Sequence, residues 1–232
     1  TAGTAITLVG VFGALIAVPQ TLLASESASN SEQVTAELLV SDIPADASPG
    51  SVGLSHLVML PHTEAVVPET DPEIEEEDRA EAINEHVTIL RADVGELGRV
   101  VSLSARSGSL EGLSGERAVV SSELTLELEA HVGDSIPLRL PDGTETAVTV
   151  AGIADLPSIL GAQVIVDDAV TGVLAEQPWV ADAGLASVRQ GAAVAAASAE
   201  IERALPGATV ATTDDVIARR TDQAERYTWI SM

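Results

Sequence analysis

The sequence predicts an α+β fold, with strand-helix-strand units at both ends of the chain and an inserted β-rich subdomain at about residues 84–166. Short apolar runs bounded by turn residues fill the middle of the chain and are typical of strands. An Ala-rich segment at residues 191–207 repeats apolar residues at helical spacing. Hydrophobic residues make up 46% of the 232 residues, which is enough for a substantial core.

The composition excludes several classes of protein. The chain carries 36 Asp and Glu against 11 basic residues, all of them Arg, for a net charge of −25. Nucleic-acid binding requires clustered basic side chains, so we expect no nucleic-acid partner. The absence of cysteine excludes disulfides, thiolate zinc sites and a cysteine nucleophile. Because only 2% of the residues are aromatic, the core must be built from Val, Leu, Ile and Ala.

The first 25 residues contain no charged side chain. As a helix they would measure roughly 37 Å, which exceeds the hydrocarbon thickness of a bilayer. We therefore expect residues 1–25 to be the end of a transmembrane helix, in which Pro19 would be tolerated. A signal-peptide core and a buried globular helix are the alternatives, although a signal peptide should have a charged start and a shorter apolar run.

The strand-helix-strand unit near the start depends on one helix prediction. Leu54, Leu57 and Val58 recur at helical spacing, and Pro61 is expected to end that helix. The flanking segments have the apolar character of strands. In order, the predicted strand, helix and strand occupy residues 36–41, 52–61 and 63–68.

A block of acidic residues follows this unit. Eight of the thirteen residues from 69 to 81 are Asp or Glu, and such a run is usually a solvated loop or a helix start. Calcium binding is the functional alternative, since calcium takes several oxygen ligands. The block lacks the Gly and the alternating Asp and Asn residues of a calcium-binding loop, so no residue in it is assigned as a ligand.

The β-rich middle shows its clearest signal around the turn at Asp142 and Gly143, where two alternating runs form a predicted hairpin. Residues 122–130 are ambiguous, because their leucines alternate as in a strand while the serine and glutamate at the start resemble a helix beginning. The other strands of this region are predicted at residues 84–93, 98–105, 117–122 and 162–167.

The last third of the chain predicts a second unit of helices and strands. The helix at residues 191–207 places Val194, Ala197, Ile201 and Leu205 at steps of three and four. The other elements are a helix at 167–178, strands at 184–189 and 208–212, and a terminal helix after Asp215.

The end of the chain gathers its densest positive charge beside aromatic residues. Tyr and Trp favour the boundary between membrane and water, and Arg side chains reach lipid head groups. We therefore expect residues 219–232 to be a membrane-approach helix and the start of a second transmembrane helix, with residues 26–218 looped out as one domain. An amphipathic surface helix is the alternative. The predicted membrane-interface residues are Arg219, Arg220, Arg226, Tyr227 and Trp229.

Catalytic motifs are missing from the sequence. A phosphate-binding loop of the G-x-x-x-x-G-K-[ST] type is impossible without Lys, and neither G-x-G-x-x-G nor G-x-S-x-G occurs. His56, His62, His86 and His131 never fall at the spacing of a helical zinc site. These motifs therefore assign no catalytic residue, no cofactor and no metal site. A Ser/His/Asp triad dispersed along the chain stays open, since such triads are defined by geometry and not by order.

A pattern of spaced residues runs through residues 107–153, beside the apolar start, the Ala-rich helix and the Arg-rich end of the chain. The residues of this pattern are Ser122, Glu123, Leu124, Val132, Gly133, Asp134, Leu138, Leu140, Asp142, Gly143, Val148, Val150, Gly152 and Ile153. With them the chain resembles the large extracytoplasmic loop between the first two membrane helices of FtsX-like permeases, the macrolide-exporter (MacB) type of ABC transporter. The acidic block at 69–81 has no counterpart in this resemblance and is interpreted as an insertion.

The resemblance implies a fold like the MacB periplasmic domain, in which residues 122–130 are helical, and we adopt that interpretation. It implies a noncatalytic domain in a dimeric permease of the cell membrane, with most of this segment on the extracytoplasmic side. A separate cytoplasmic ABC ATPase would drive its movement, and so export, lipoprotein extraction or activation of a partner outside the cell. The resemblance identifies neither the exported substrate nor that partner.

Two hypotheses of other classes remain beside the permease domain. One is a secreted or membrane-anchored extracellular binding protein, with residues 1–25 as its signal or anchor. The other is a membrane-tethered hydrolase with a dispersed triad.

Overall fold

The computed structural model describes residues 33–47, 50–68 and 85–219. These residues form two β-sheets and a small number of helices, so the predicted α+β class is confirmed. The strands are β1 (Leu38–Ser41), β2 (Gly50–Val52), β3 (Ser55–Met59), β4 (His62–Val67), β5 (Glu85–Arg91), β6 (Ala105–Gly108), β7 (Arg117–Ser121), β8 (Ser135–Arg139), β9 (Glu145–Ala154), β10 (Val164–Val166), β11 (Ala183–Val188) and β12 (Thr209–Thr212). The α-helices are α1 (Val94–Leu97), α2 (Ser122–Glu127), α3 (Val194–Ala204) and a helical stretch at residues 213–219, and 3₁₀ helices occupy Ser158–Leu160 and Gly172–Glu176.

The first sheet, called the open sheet, is antiparallel throughout and has the strand order β12-β1-β11-β3-β2. One of its faces packs against α3, where Leu57 of β3 and Ala186 of β11 meet Ala197 and Ile201 of the helix. The apolar spacing of the Ala-rich segment therefore produced the helix it predicted, with its apolar stripe against the sheet.

The second sheet has the order β6-β9-β7-β10-β5-β4-β8, and an additional pairing of β8 with β9 closes six of these strands into a barrel. Closure is possible because β9 has ten residues, so its first half pairs with β8 and its second half with β6. The pairs β5–β10 and β7–β9 are parallel, and the others are antiparallel.

Each barrel strand directs two small or branched apolar side chains inward, as strand alternation requires. Leu124 and Leu174 are fully buried in the same cluster. The narrow interior is filled by valine and leucine, which agrees with a core that has few aromatic residues. The inward pairs are Ala65 and Val67, Val87 and Ile89, Ala118 and Val120, Ile136 and Leu138, Val148 and Val150, and Val164 and Val166.

The open sheet and the barrel share a continuous hydrophobic core. Val58 and Leu185 lie on the face of the open sheet that points away from α3, and they belong to the same buried cluster as Leu90 and Ile165 on the outside of the barrel. Burial of both partners makes this contact part of the fold and not a loose interface between separate modules.

The helix predicted at residues 52–61 is wrong, because Ser55–Met59 forms strand β3. Leu57 packs towards α3 while its neighbour Val58 packs towards the barrel. A strand that is buried on both faces loses the alternation of apolar and polar residues, so its apolar spacing imitated a helix.

Two further element predictions need correction. The strand predicted at residues 98–105 is absent up to residue 104, because this segment is a turn after α1 with a single bridge from Val101 to Val34, and β6 begins at residue 105. Val100 and Val101 are both fully buried there. The helix predicted at 167–178 is reduced to the 3₁₀ helix Gly172–Glu176, whose first residue has a φ of +68°. A helix cannot extend through a residue in that conformation.

The remaining elements agree with the sequence in type. The hairpin forms around Asp142 and Gly143, and the helix that the family resemblance implied at residues 122–130 is present as Ser122–Glu127. Ser121 begins this helix by accepting a hydrogen bond from the Leu124 amide at 3.1 Å. The strands predicted at 36–41, 63–68, 84–93, 117–122, 162–167, 184–189 and 208–212 and the helix predicted at 191–207 are present, with ends that differ by a few residues.

Candidate functional site

The two outermost segments of the described chain lie side by side. Strands β1 and β12 are antiparallel neighbours, with Leu38 opposite Thr212. The amide of Thr213 donates to the Glu37 carbonyl at 3.0 Å, and its buried hydroxyl donates to the Ala36 carbonyl at 2.7 Å. The chain therefore enters the open sheet and leaves it at adjacent points.

Of the predicted membrane-interface residues, the described part of the chain contains Arg219. Its side chain is exposed, and its Nε donates to the Asp215 carbonyl at 3.1 Å along the same helical stretch. Arg220, Arg226, Tyr227 and Trp229 lie outside the described residues, as do the predicted transmembrane segment 1–25 and the acidic block 69–81. Within the described residues, no helix is long and apolar enough to cross a membrane.

A cleft of about 480 Å³ opens between the open sheet and the barrel. His56 and Val58 of β3 line one wall, and the opposite wall carries Arg91, Asp168 and Trp179. The first wall comes from β3 of the open sheet, whereas Arg91 is the last residue of β5 in the barrel, and Asp168 and Trp179 lie in the segment between β10 and β11.

His56, Glu96 and Arg99 form a polar contact across one end of the cleft. His56 Nε2 lies 2.8 Å from Glu96 Oε2, and Arg99 lies 3.1 Å from Glu96 Oε1. Asp93 fixes the position of Glu96, because its carboxylate accepts from the Glu96 amide at 2.9 Å as the N-cap of α1. His56 belongs to the open sheet and Glu96 to α1, so this contact joins the two walls.

Arg91 is held against an aromatic ring at the other end of the cleft. Its guanidinium lies 5.0 Å from the centre of the Trp179 ring, within the range of a cation-π contact. Asp168 Oδ1 lies 3.8 Å from Arg91 Nε, too far for a hydrogen bond, and this buried Nε has no hydrogen-bond partner among the described residues.

The pKa of Asp168 is raised from its usual value. Burial against the cleft wall is the largest cause, and the charge of Arg91 opposes it while the charges of Asp167 and Asp93 add to it. The Asp168 carboxylate is therefore protonated more readily than that of a free aspartate.

The motif residues of the family resemblance serve the fold. The Ser122 hydroxyl donates to the Asp155 carboxylate, which also accepts from Arg106 Nε at 2.6 Å. Burial raises the pKa of Asp155, but these two hydrogen bonds and the Arg106 charge outweigh it and hold the pKa below its usual value. The carboxylate therefore stabilises the fold above its usual pKa of 3.8, and this contribution is lost as the pH falls through the lowered pKa.

The turn residues of the motif shape the strands around them. The Gly133 amide donates to the Val150 carbonyl at 2.8 Å, and Asp134 accepts from the His131 amide at 2.8 Å, so the turn before β8 is tied to β9. Asp142 accepts from the Thr144 amide at 2.9 Å in the hairpin turn. These contacts explain the spacing of the motif without a ligand.

The histidines have separate surroundings. His56 contacts Glu96, His62 Nε2 lies 2.7 Å from the Leu160 carbonyl, and His131 is exposed beside Asp134. Within the described ranges, no group of three or more His, Asp or Glu side chains is arranged to hold a metal ion.

Sequence reasoning did not find the cleft. His56 and Glu96 are 40 positions apart, and Arg91 reaches Asp168 and Trp179 from a different third of the chain. One local signal was available, since Asp93 followed three residues later by Glu96 is the pattern of a capped helix.

No protein-family model and no curated protein sequence matches this chain. Among solved structures, the chain is similar to the periplasmic region of MacB from Actinobacillus actinomycetemcomitans, with a TM-score of 0.50 and 8% sequence identity over 83% of this chain and 95% of that one. It also aligns with a domain assigned to a permease from Porphyromonas gingivalis, with a TM-score of 0.44 and 12% identity over 80% and 91% of the two chains. The described residues therefore have the α+β fold of a MacB-type periplasmic domain.

Proposed function

We propose that this chain is the noncatalytic extracytoplasmic domain of an FtsX-like ABC transporter permease. The observation that carries the proposal is the pairing of β1 with β12, which makes the chain enter and leave the domain at adjacent points. A domain inserted between two neighbouring membrane helices needs this geometry. The similarity in fold to the periplasmic region of MacB supports the same assignment.

In this proposal the membrane segments flank the open sheet. Residues 1–25 end the first transmembrane helix, residues 26–218 form the extracytoplasmic domain, and residues 219–232 approach the second membrane helix. Arg219, Arg220, Arg226, Tyr227 and Trp229 lie at the lipid interface. Movement of either membrane helix is then transmitted first to β1 or β12.

The shared core supports a mechanical role. Because Leu185 of the open sheet and Ile165 of the barrel belong to one buried cluster, displacement of the open sheet carries the barrel with it. A separate cytoplasmic ABC ATPase supplies the energy, and a second permease copy completes the dimer. The domain couples this cycle to export, lipoprotein extraction or activation of a partner outside the cell.

The test is to isolate the tagged full-length protein from its native cells with a neutral detergent. We expect it in the membrane fraction, together with a stoichiometric ATPase subunit that carries a phosphate-binding loop. The same purification from cells in which the ATPase gene is deleted is the control for nonspecific binding of other ATPases to the tagged protein. Recovery of the protein from the culture medium, or from membranes without any ATPase, would contradict the proposal and favour the extracellular binding protein.

A further inference from the structure

The cleft between the open sheet and the barrel has the size and the walls of a small-molecule site. Its volume of about 480 Å³ lies within the range of such sites. Val58, Pro61 and Ala181 contribute apolar side chains to the lining, and Trp179 adds an aromatic surface. A ligand with an apolar body would bury that body here.

The charges on the cleft decide which ligand fits. Asp93, Glu96 and Asp168 line it, against the single guanidinium of Arg91 and the imidazole of His56. Glu96 is engaged by His56 and Arg99, whereas Asp168 is 61% exposed and its ion pair with Arg91 spans 3.8 Å. Asp168 is therefore the carboxylate that is most available to a positively charged group.

The described part of the chain as a whole also carries a net negative charge. The described residues carry 24 Asp and Glu against 8 Arg, so the field around the cleft attracts cations and repels anions. The buried Nε of Arg91 has no hydrogen-bond partner among the described residues, so this wall of the cleft holds an unsatisfied donor.

From these observations we infer that the cleft binds a compact organic cation with an apolar body, its charge beside Asp168 and its body against Trp179 and the β3 wall. The inference rests on the cleft alone and is independent of the placement of the domain at a membrane. Its failure and the failure of the proposed function are therefore distinguishable.

Three probes of nearly equal shape test the sign of the charge: 2-phenylethylammonium, 2-phenylethanol and 3-phenylpropanoate. They are titrated against the full 232-residue chain carrying Trp229→Phe, which leaves Trp179 as its single indole. We expect a saturable change in Trp179 fluorescence with the ammonium probe, at an affinity about tenfold above that of the alcohol, because a hydrogen bond to a charged group contributes this much. We expect no saturable change with the carboxylate. Calorimetry on the unsubstituted chain checks that Trp229→Phe has not altered binding.

Two neighbouring substitutions separate the site from the general field. Asp168→Asn is expected to weaken binding of the ammonium probe about tenfold. Asp167→Asn removes the same charge one residue away, outside the lining of this cleft, and is expected to change the affinity by about twofold or less. Either asparagine can keep the local backbone hydrogen bonds. Equal affinities for the three probes, tighter binding of the carboxylate, or equal effects of the two substitutions would each overturn the inference.

Discussion

Replacing Leu185 with alanine is expected to lower the free energy of unfolding by about 3 kcal/mol, because truncation of a fully buried leucine removes transfer free energy and leaves a cavity. Leu185 is 0% exposed and lies in the cluster that the open sheet shares with the barrel. The loss of stability should therefore affect both the open sheet and the barrel, and not the open sheet alone.

Chemical denaturation combined with amide hydrogen exchange measures this effect. We expect one unfolding transition, with amides of β1 in the open sheet and β8 in the barrel losing protection together. Leu126→Ala is the matched control, because Leu126 is 77% exposed and its truncation should change stability by less than about 0.5 kcal/mol. Loss of protection in β1 with unchanged protection in β8 would mean that the two parts fold independently.

Replacing Gly108 with alanine is the second large effect we expect. Gly108 has a φ of +72°, and a Cβ atom there would lie 2.3 Å from the Ala151 carbonyl oxygen. The contact is with backbone, so it can be relieved only by moving β6 away from β9. We expect a loss of about 3 kcal/mol, which combines left-handed strain with the steric clash.

Gly143→Ala isolates the steric part of that loss. Gly143 has a φ of +84°, but no atom lies within 4 Å of the position a Cβ would take. Only the strain remains there, so we expect a loss of about 1 kcal/mol in the same denaturation measurement. Equal losses for the two glycines would show that β6 does not approach β9 as closely as described.

The sequence predicted elements best where one face of a strand is solvated or a turn has strict requirements. The hairpin around Asp142 and Gly143 has both properties, and the Ala-rich helix α3 has one solvated face. In each case one face of the element is buried and the other is solvated, so apolar and polar residues alternate along the sequence with the period of the element.

Periodicity failed where both faces of a segment are buried. Leu57 and Val58 of β3 face different layers, and Val100 and Val101 are both fully buried in a turn. Consecutive apolar residues then carry no information about period, so helix and strand could not be distinguished.

The closure of the barrel and the cleft beside it depend on contacts between distant parts of the chain. Only one residue pair, Val66 with Arg139, joins β4 to β8, and Arg91 meets Asp168 across 77 positions. Such pairings have no local pattern, so neither the barrel nor the cleft followed from the sequence. The family resemblance supplied the helix at residues 122–127, where local periodicity favoured a strand.

The proposed function requires that this domain lies outside the membrane of the cell that makes it. Because the 232 residues contain no cysteine, Glu202→Cys adds a unique thiol to this chain, on the exposed side of α3. Ala197→Cys on the same helix is the buried control, since Ala197 is 0% exposed. Intact cells carrying the full-length protein are treated with a membrane-impermeant maleimide. We predict labelling of cell-associated protein at position 202 and not at 197. Labelling at 202 only after the cells are permeabilised would contradict the extracytoplasmic location.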